Sequence, residues 1–297
     1  MQRQSAKDFD QELLNIFDVY VHGGMDRRGF LERAQKFAVG GATAAGLLAA
    51  LSPDFARGEV VAANDERLLG ETLEFTSPDG YGHGSGYLVR LAARSSEKLP
   101  GILVAHENRG LNPHIRDIAR RLALEGYLVF APDALAPLGG YPGDEDKARE
   151  LFAQLDQRKT TEDFVAAAQV LRGRADCNGR LGAIGFCYGG GVVQMLATRV
   201  PELQAGVPFY GNVPPVSEAV KVKAPLLMHF ASEDARINGQ WPPYEAALRA
   251  AGVRITVYQY AGTQHGFNND TTPRFDAPAA KLAWERTLQF FAQYLRA

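Results

Sequence analysis

From Glu71 to the C-terminus the sequence alternates short β-rich runs with helical patterns, and that alternation restricts the fold more than any other feature. Parallel strands need long crossovers, and a chain that supplies a helix after nearly every strand satisfies that need. The runs Thr72–Thr76, Tyr87–Leu91, Gly101–Ala105, Leu128–Ala131, Leu181–Gly185, Ala205–Phe209, Pro225–Phe230 and Arg254–Tyr258 read as strands. Apolar positions at helical spacing mark Pro113–Glu125, Glu162–Leu171, Tyr188–Thr198, Pro243–Ala250 and Pro278–Leu295. There is no internal repeat or low-complexity tract. The pattern predicts an α/β fold with a mostly parallel central sheet of about eight strands flanked by helices. One sheet accounts for residues 69–297, which leaves residues 1–68 as an N-terminal extension.

Composition narrows the partners. A chain of 297 residues with 46% hydrophobic and 22% charged residues can bury a sizeable core, which excludes a disordered or fibrous chain. The 32 Lys and Arg stand against 34 Asp and Glu, so no whole-molecule basic field exists to attract nucleic acid. Residues 37–51 carry no charge but fall short of the roughly 20 residues a membrane span requires, so no membrane partner is expected. Just upstream, Asp26-Arg27-Arg28-Gly29-Phe30-Leu31 has the look of a twin-arginine export signal, which would send the protein to the periplasm. The other reading keeps the segment in a cytoplasmic protein. In it Asp26 caps one Ala-rich helix from Arg27 to Ala50, packed on the main domain.

The strongest local feature is Gly185-Phe186-Cys187-Tyr188-Gly189-Gly190, where a buried strand turns into a helix. It follows the G-x-S-x-G nucleophile-elbow pattern with Cys in place of Ser. Glycines two residues to either side serve a steric purpose, because the turn leaves no room for side chains against the adjoining strand and helix. Cys187 would sit at a helix N-terminus, where the dipole favours a thiolate. A buried structural cysteine is the plainer alternative for this motif alone. Cys177 is the one other cysteine, too few for a disulfide scaffold or a four-thiolate zinc site.

An elbow enzyme takes an acid and then a histidine from later strand ends. Asp234 follows the strand Pro225–Phe230, and His265 follows Arg254–Tyr258, so both lie where that template needs them. Glu233 competes for the acid role, but the shorter Asp234 suits it better. His229 competes for the base role but falls inside an apolar strand. His22 and His83 lie away from the strand ends, and His114 opens a helix. The third strand ends in His106-Glu107-Asn108-Arg109-Gly110, and in this geometry the backbone amides of Asn108 and Tyr188 are the two oxyanion donors. A carboxylate at Glu107 would oppose a developing oxyanion in a serine esterase, yet it suits a thiol as gate or proton acceptor.

Taken together, Glu107, the Gly185-to-Gly190 elbow, Asp234, and His265 followed by Gly266-Phe267 resemble the dienelactone hydrolases, or carboxymethylenebutenolidases, of the α/β-hydrolase fold. The resemblance spans about residues 70 to 295. It implies a Cys187–His265–Asp234 triad, a Glu107 that contacts the resting thiol, and neither a metal nor an organic cofactor. The expected activity is hydrolysis of a small-molecule ester or lactone through an acyl-thioester; a non-catalytic binding protein on the same fold is the alternative. One departure stands out. The aromatic-degradation enzymes of the family carry a substrate-binding arginine just after the catalytic histidine, whereas here Phe267-Asn268-Asn269-Asp270 has no basic residue before Arg274. Arg109, Arg236 and Asn269 are the candidate substrate contacts in its place. The Gly-rich segment from Leu138 to Gly143 is the expected mobile wall of the pocket. Oligomeric state is not legible in the sequence.

Overall fold

The computed structural model describes residues 4–296. Eight strands form a single sheet: β1 (Leu68–Ser77), β2 (Gly82–Leu91), β3 (Leu99–Ala105), β4 (Leu128–Pro132), β5 (Cys177–Phe186), β6 (Leu203–Phe209), β7 (Leu226–Glu233) and β8 (Ile255–Gln264). They are ordered β1-β2-β4-β3-β5-β6-β7-β8. β2 runs antiparallel to both β1 and β4, and every later neighbour pair is parallel. This is the α/β architecture that the alternation predicts. Every residue of β3 is buried, as expected for a central strand covered on both faces. Strand ends predicted from apolar runs fall short by a few residues; β5 begins at Cys177 and β8 continues to Gln264, because edge and terminal ladder bonds do not need apolar side chains.

Four short or medium helices, α1 (Gln11–Val21), α2 (Arg27–Ala34), α3 (Ala44–Leu51) and α4 (Phe55–Gly58), precede the sheet. The crossovers supply α5 (Pro113–Leu124), α6 (Glu145–Phe152), α7 (Gln157–Gly173), α8 (Tyr188–Arg199), α9 (Ala235–Asn238), α10 (Trp241–Ala250) and α11 (Ala277–Leu295). In α5, Asn112 accepts a hydrogen bond from the Ile115 amide and Pro113 occupies the first turn, where its missing N–H costs nothing. Its Ile115, Ile118, Ala119 and Leu122 join α11 residues such as Phe291 in one apolar layer against the sheet. The other layer packs α7 and α8 through Phe164, Leu171, Val193 and Leu196. α7 starts earlier than its apolar spacing shows, since Asp156 caps it by accepting from the Arg158 and Lys159 amides.

The N-terminal segment corrects the expectation of one helix from Arg27 to Ala50. Asp26 does cap a helix there, accepting from Gly29 N, but α2 ends at Ala34 and the chain turns through Gly40 and Gly41 at φ of 64° and 89°. Only glycine adopts that conformation without strain. α1, α2 and α3 then fold against one another around Leu13, Phe17, Tyr20, Phe30, Leu48 and Leu51, a core separate from the two layers of the sheet. Polar contacts fasten this unit to the rest. Arg27 Nη1 donates to Asp146 at 2.7 Å, Tyr20 Oη bonds the same carboxylate, and Asp54 N donates to Thr271 O at 2.8 Å. Arg28 pairs instead with Glu32 on its own helix at 2.9 Å. Among the described residues no helix is long and apolar enough to cross a membrane.

Candidate active site

Cys187 stands between β5 and α8 with φ 55° and ψ −113°, a conformation that L-residues avoid and that costs on the order of 1–3 kcal/mol. Close backbone packing holds it there. A Cβ on Gly185 would lie 2.0 Å from Gly189 O, and one on Gly189 would lie 2.1 Å from Ala105 O. The elbow glycines are thus required by contact distances, as their spacing suggests. Cys187 is the N-cap of α8, so the free amides of the first helical turn lie beside its side chain.

Two strand ends bring the predicted partners to it. Asp234 follows β7, and its Oδ2 accepts from His265 Nδ1 at 2.5 Å; both side chains are buried. Glu233 points elsewhere, accepting from Ser232 Oγ. His229 is satisfied in the core by Tyr260 Oη at 2.9 Å and Thr287 Oγ1 at 3.2 Å, and burial drives its pKa down to about 3. With Nδ1 committed to Asp234, His265 turns Nε2 inward, where it is buried and has no hydrogen-bond partner.

The residue that sequence reasoning missed is His22. It follows α1, and its Nε2 lies 3.3 Å from Cys187 Sγ, while its ring stands edge-on to that of His265 at 4.8 Å between centroids. Its Nδ1 donates to the Asp18 backbone carbonyl at 2.7 Å, with the Asp18 carboxylate 3.3 Å away. The i, i+4 spacing of Asp18 and His22 is visible in the sequence. Nothing there says that this helix end would land 165 residues away on the cysteine. The electrostatic consequences are mutual. Burial alone pushes the Cys187 thiol up, but the two imidazoles beside it outweigh burial and bring its pKa down to about 6. Burial alone would lower His22, yet the cysteine and Asp18 raise it to about 10. His265 is raised likewise: burial works against it, and the charge on Cys187 and the bond to Asp234 prevail. Cys177 contrasts with this, since burial raises its thiol and no imidazole offsets it.

The remaining candidates surround the thiol. Glu107, Asn108 and Arg109 follow β3, and the Glu107 carboxylate accepts from Asn269 Nδ2 at 2.8 Å. The side-chain contact at Cys187 Sγ comes from His22, in the place where the resemblance puts Glu107. Asn108 Nδ2 and Arg109 Nη1 both donate to the carbonyl of Val21, at 2.7 and 3.1 Å. Arg109 is therefore buried rather than free at the surface. Arg236 is exposed, donates to Asn212 Oδ1 at 3.1 Å and brings Nη2 to 3.3 Å from His22 Nε2. Arg274, the first basic residue after His265, lines one cavity with Arg109 and lies 3.4 Å from Asp18. That cavity opens onto Cys187 and His265 between Phe17, Tyr20 and Glu145. The Gly-rich segment does not wall it: Gly139 to Tyr141 line a separate depression with Arg116 and Asp133. The N-terminal helix α1 forms the wall instead.

Comparison with known proteins finds two matching families. Residues 86–295 match the dienelactone hydrolase family, and residues 1–39 match a different family, described as YqhI-like. A "Putative carboxymethylenebutenolidase" of Escherichia coli K12 is 34% identical over 235 residues, covering 74% of this chain and 86% of that one. A "Putative hydrolase fragment YghX" of the same organism is 47% identical over 114 residues, 38% of this chain and 97% of the fragment. Among solved structures, a "Putative Dienelactone Hydrolase" from Klebsiella pneumoniae superposes with a TM-score of 0.66 at 30% identity, covering 76% of this chain and all of that one.

Proposed function

The chain belongs to the dienelactone hydrolase family, whose match runs from β2 to the end of α11, and on that premise we propose that it hydrolyses small carboxylic esters or lactones with Cys187 as the nucleophile. The observation that carries this reading is Cys187 at a strained helix N-terminus, beside a His265 already held by Asp234 at 2.5 Å. In the first half-reaction Sγ attacks the carbonyl carbon, and the amides of Asn108 and Tyr188 receive the oxyanion. The C–O bond to the leaving alcohol breaks as the His265 imidazolium returns a proton to it. His265, neutral again, then takes a proton from water, and the hydroxide cleaves the thioester to release the acid and regenerate the thiolate. Asp234 keeps the Nδ1–H tautomer throughout and stabilises the imidazolium.

His22 supports the resting nucleophile in this scheme, sharing the thiolate charge with the neighbouring His265 ring. Glu107 organises the wall by its bond to Asn269, whose own Oδ1 accepts from Thr271 N and Oγ1. Arg109, Arg236 and Arg274 are the cationic groups around the thiol that could meet an incoming carboxylate, but each is already engaged by the protein. A neutral or weakly anionic acyl group suits that balance. The deciding experiment is intact-mass analysis during turnover of p-nitrophenyl esters and unsaturated lactones. An acyl adduct on the wild type that is absent from Cys187→Ala supports the reading, and turnover by Cys187→Ala at the wild-type rate overturns it.

A further inference from the structure

Three ligand atoms converge at the elbow, one more than the Cys187–His265 pair that ester hydrolysis uses. Cys187 Sγ, His22 and His265 each present one donor, and these atoms all lie within 4.8 Å of one another. Each imidazole has its Nδ1 fixed by an outer group, His265 by the Asp234 carboxylate and His22 by the Asp18 carbonyl with its carboxylate close by. Donation from Nδ1 leaves Nε2 as the inward-facing atom of both rings, and loss of its proton makes it a ligand. An outer oxygen that fixes tautomer and ring orientation is the support that metal-bound histidines use. His265 Nε2 is moreover buried without a well-formed hydrogen bond, and the group it faces is the Cys187 thiol.

We propose that Cys187, His22 and His265 bind a zinc ion, and that this ion, by taking the thiolate, holds the enzyme in a reversibly silenced state. Thiolate and imidazole donors together select zinc over the hard cations calcium and magnesium. Bond lengths of about 2.3 Å to sulfur and 2.0–2.1 Å to nitrogen place tetrahedral donors about 3.3–3.6 Å apart. His22 Nε2 and Cys187 Sγ already stand 3.3 Å apart, so His265 makes the remaining closure, about 1.5 Å at most. Binding to the resting thiolate displaces the Nε2 protons of the two imidazolium groups to solvent, leaves both imidazoles neutral and keeps a fourth position open for water. The opposing charge is Arg236, whose Nη2 is 3.3 Å from His22 Nε2; it is exposed and swings aside toward Asn212, its other partner. Asp18 and Asp234 offset the positive charge of the ion.

Because His22 lies in the segment matched by a second family, the site exists only when residues 1–39 are docked on the hydrolase domain. Metal binding is read without substrate, so this inference and the hydrolase reading fail separately. The full chain, reduced and stripped by a chelator, is titrated with zinc against a chromophoric chelator and, separately, with cobalt(II) as a spectroscopic probe. The expected result is one equivalent bound, with a near-ultraviolet thiolate-to-cobalt band and visible bands of tetrahedral intensity. His22→Ala weakens zinc binding by about 100-fold or more, beyond the 10–100-fold that outer-shell partners carry, while His83→Ala leaves it unchanged. Cys187→Ser removes the near-ultraviolet band, a readout that does not depend on how the N-terminal helices tolerate substitution. A cobalt spectrum without the thiolate band, or equal zinc affinity in the wild type and a His22→Ala variant of native circular dichroism, overturns the proposal.

Discussion

The N-terminal helices and the sheet domain meet at the same cysteine, yet they are held together by different forces. Around the sheet, two apolar layers bury side chains such as Phe130, Phe164, Phe209 and Phe291 completely, and the strand ends that carry Cys187, Asp234 and His265 inherit that rigidity. The N-terminal helices enclose a small core of their own and reach the site through hydrogen bonds and ion pairs: Val21 O with Asn108 and Arg109, Arg27 with Asp146, Arg274 with Asp18. Salt screens contacts of the second kind, and burial dominates the first. The His265–Asp234 side of Cys187 is therefore fixed by the fold, whereas the His22 side is conditional on docking.

Four measurements break or sharpen that contrast. Cys187→Ala removes hydrolysis to the background rate, at least about 1000-fold, and leaves the circular dichroism of both regions unchanged. Peptide mapping after partial iodoacetamide inactivation finds the label on Cys187 and little on buried Cys177; activity loss that tracks Cys177 instead removes the nucleophile assignment.

Next in size are two aromatic truncations, each costing about 3–5 kcal/mol. Phe291→Ala in the sheet core lowers the main thermal transition. Phe30→Ala in the N-terminal core melts that segment first and spares the sheet, and hydrogen exchange resolved by peptide shows which amides open. If Phe30→Ala lowers the sheet transition by as much as Phe291→Ala does, the two regions are one cooperative unit.

His265→Ala and Asp234→Asn each lower kcat by at least about 100-fold, which is about 2.7 kcal/mol, and the double variant is little worse than the more damaged single one. Losses that multiply would show two residues acting independently. The smallest effect belongs to the docking surface. Arg27→Ala costs less than about 1 kcal/mol, because the partly exposed pair with Asp146 is screened by solvent, and raising salt loosens the wild-type segment in the same direction. Limited proteolysis between α1 and α2 reads that loosening; indifference to both changes would mean that apolar contacts carry the docking.

Local signals made much of the sheet domain readable. The β5 turn was readable because Gly185 and Gly189 stand where a Cβ would come within about 2 Å of a backbone oxygen, and Asp234 and His265 because strand ends in chain order place side chains on one edge of a parallel sheet. The single long N-terminal helix was misread for an equally local reason. Ala-rich spacing continues through Gly40 and Gly41, and only the positive φ at both shows that the chain turns there. The wall of the pocket was misplaced onto the Gly-rich segment because backbone freedom says nothing about what a loop faces.

The sequence by itself determined the α/β order, the elbow and the strand ends that carry Asp234 and His265, since periodicity and turn chemistry act between near neighbours. Tertiary structure alone decided that Asp18 and His22 close over Cys187, that Arg109 is spent on Val21 O and that Arg274 reaches the cavity. Those contacts join residues more than eighty positions apart through a polar interface, and such an interface leaves no periodic trace in either partner.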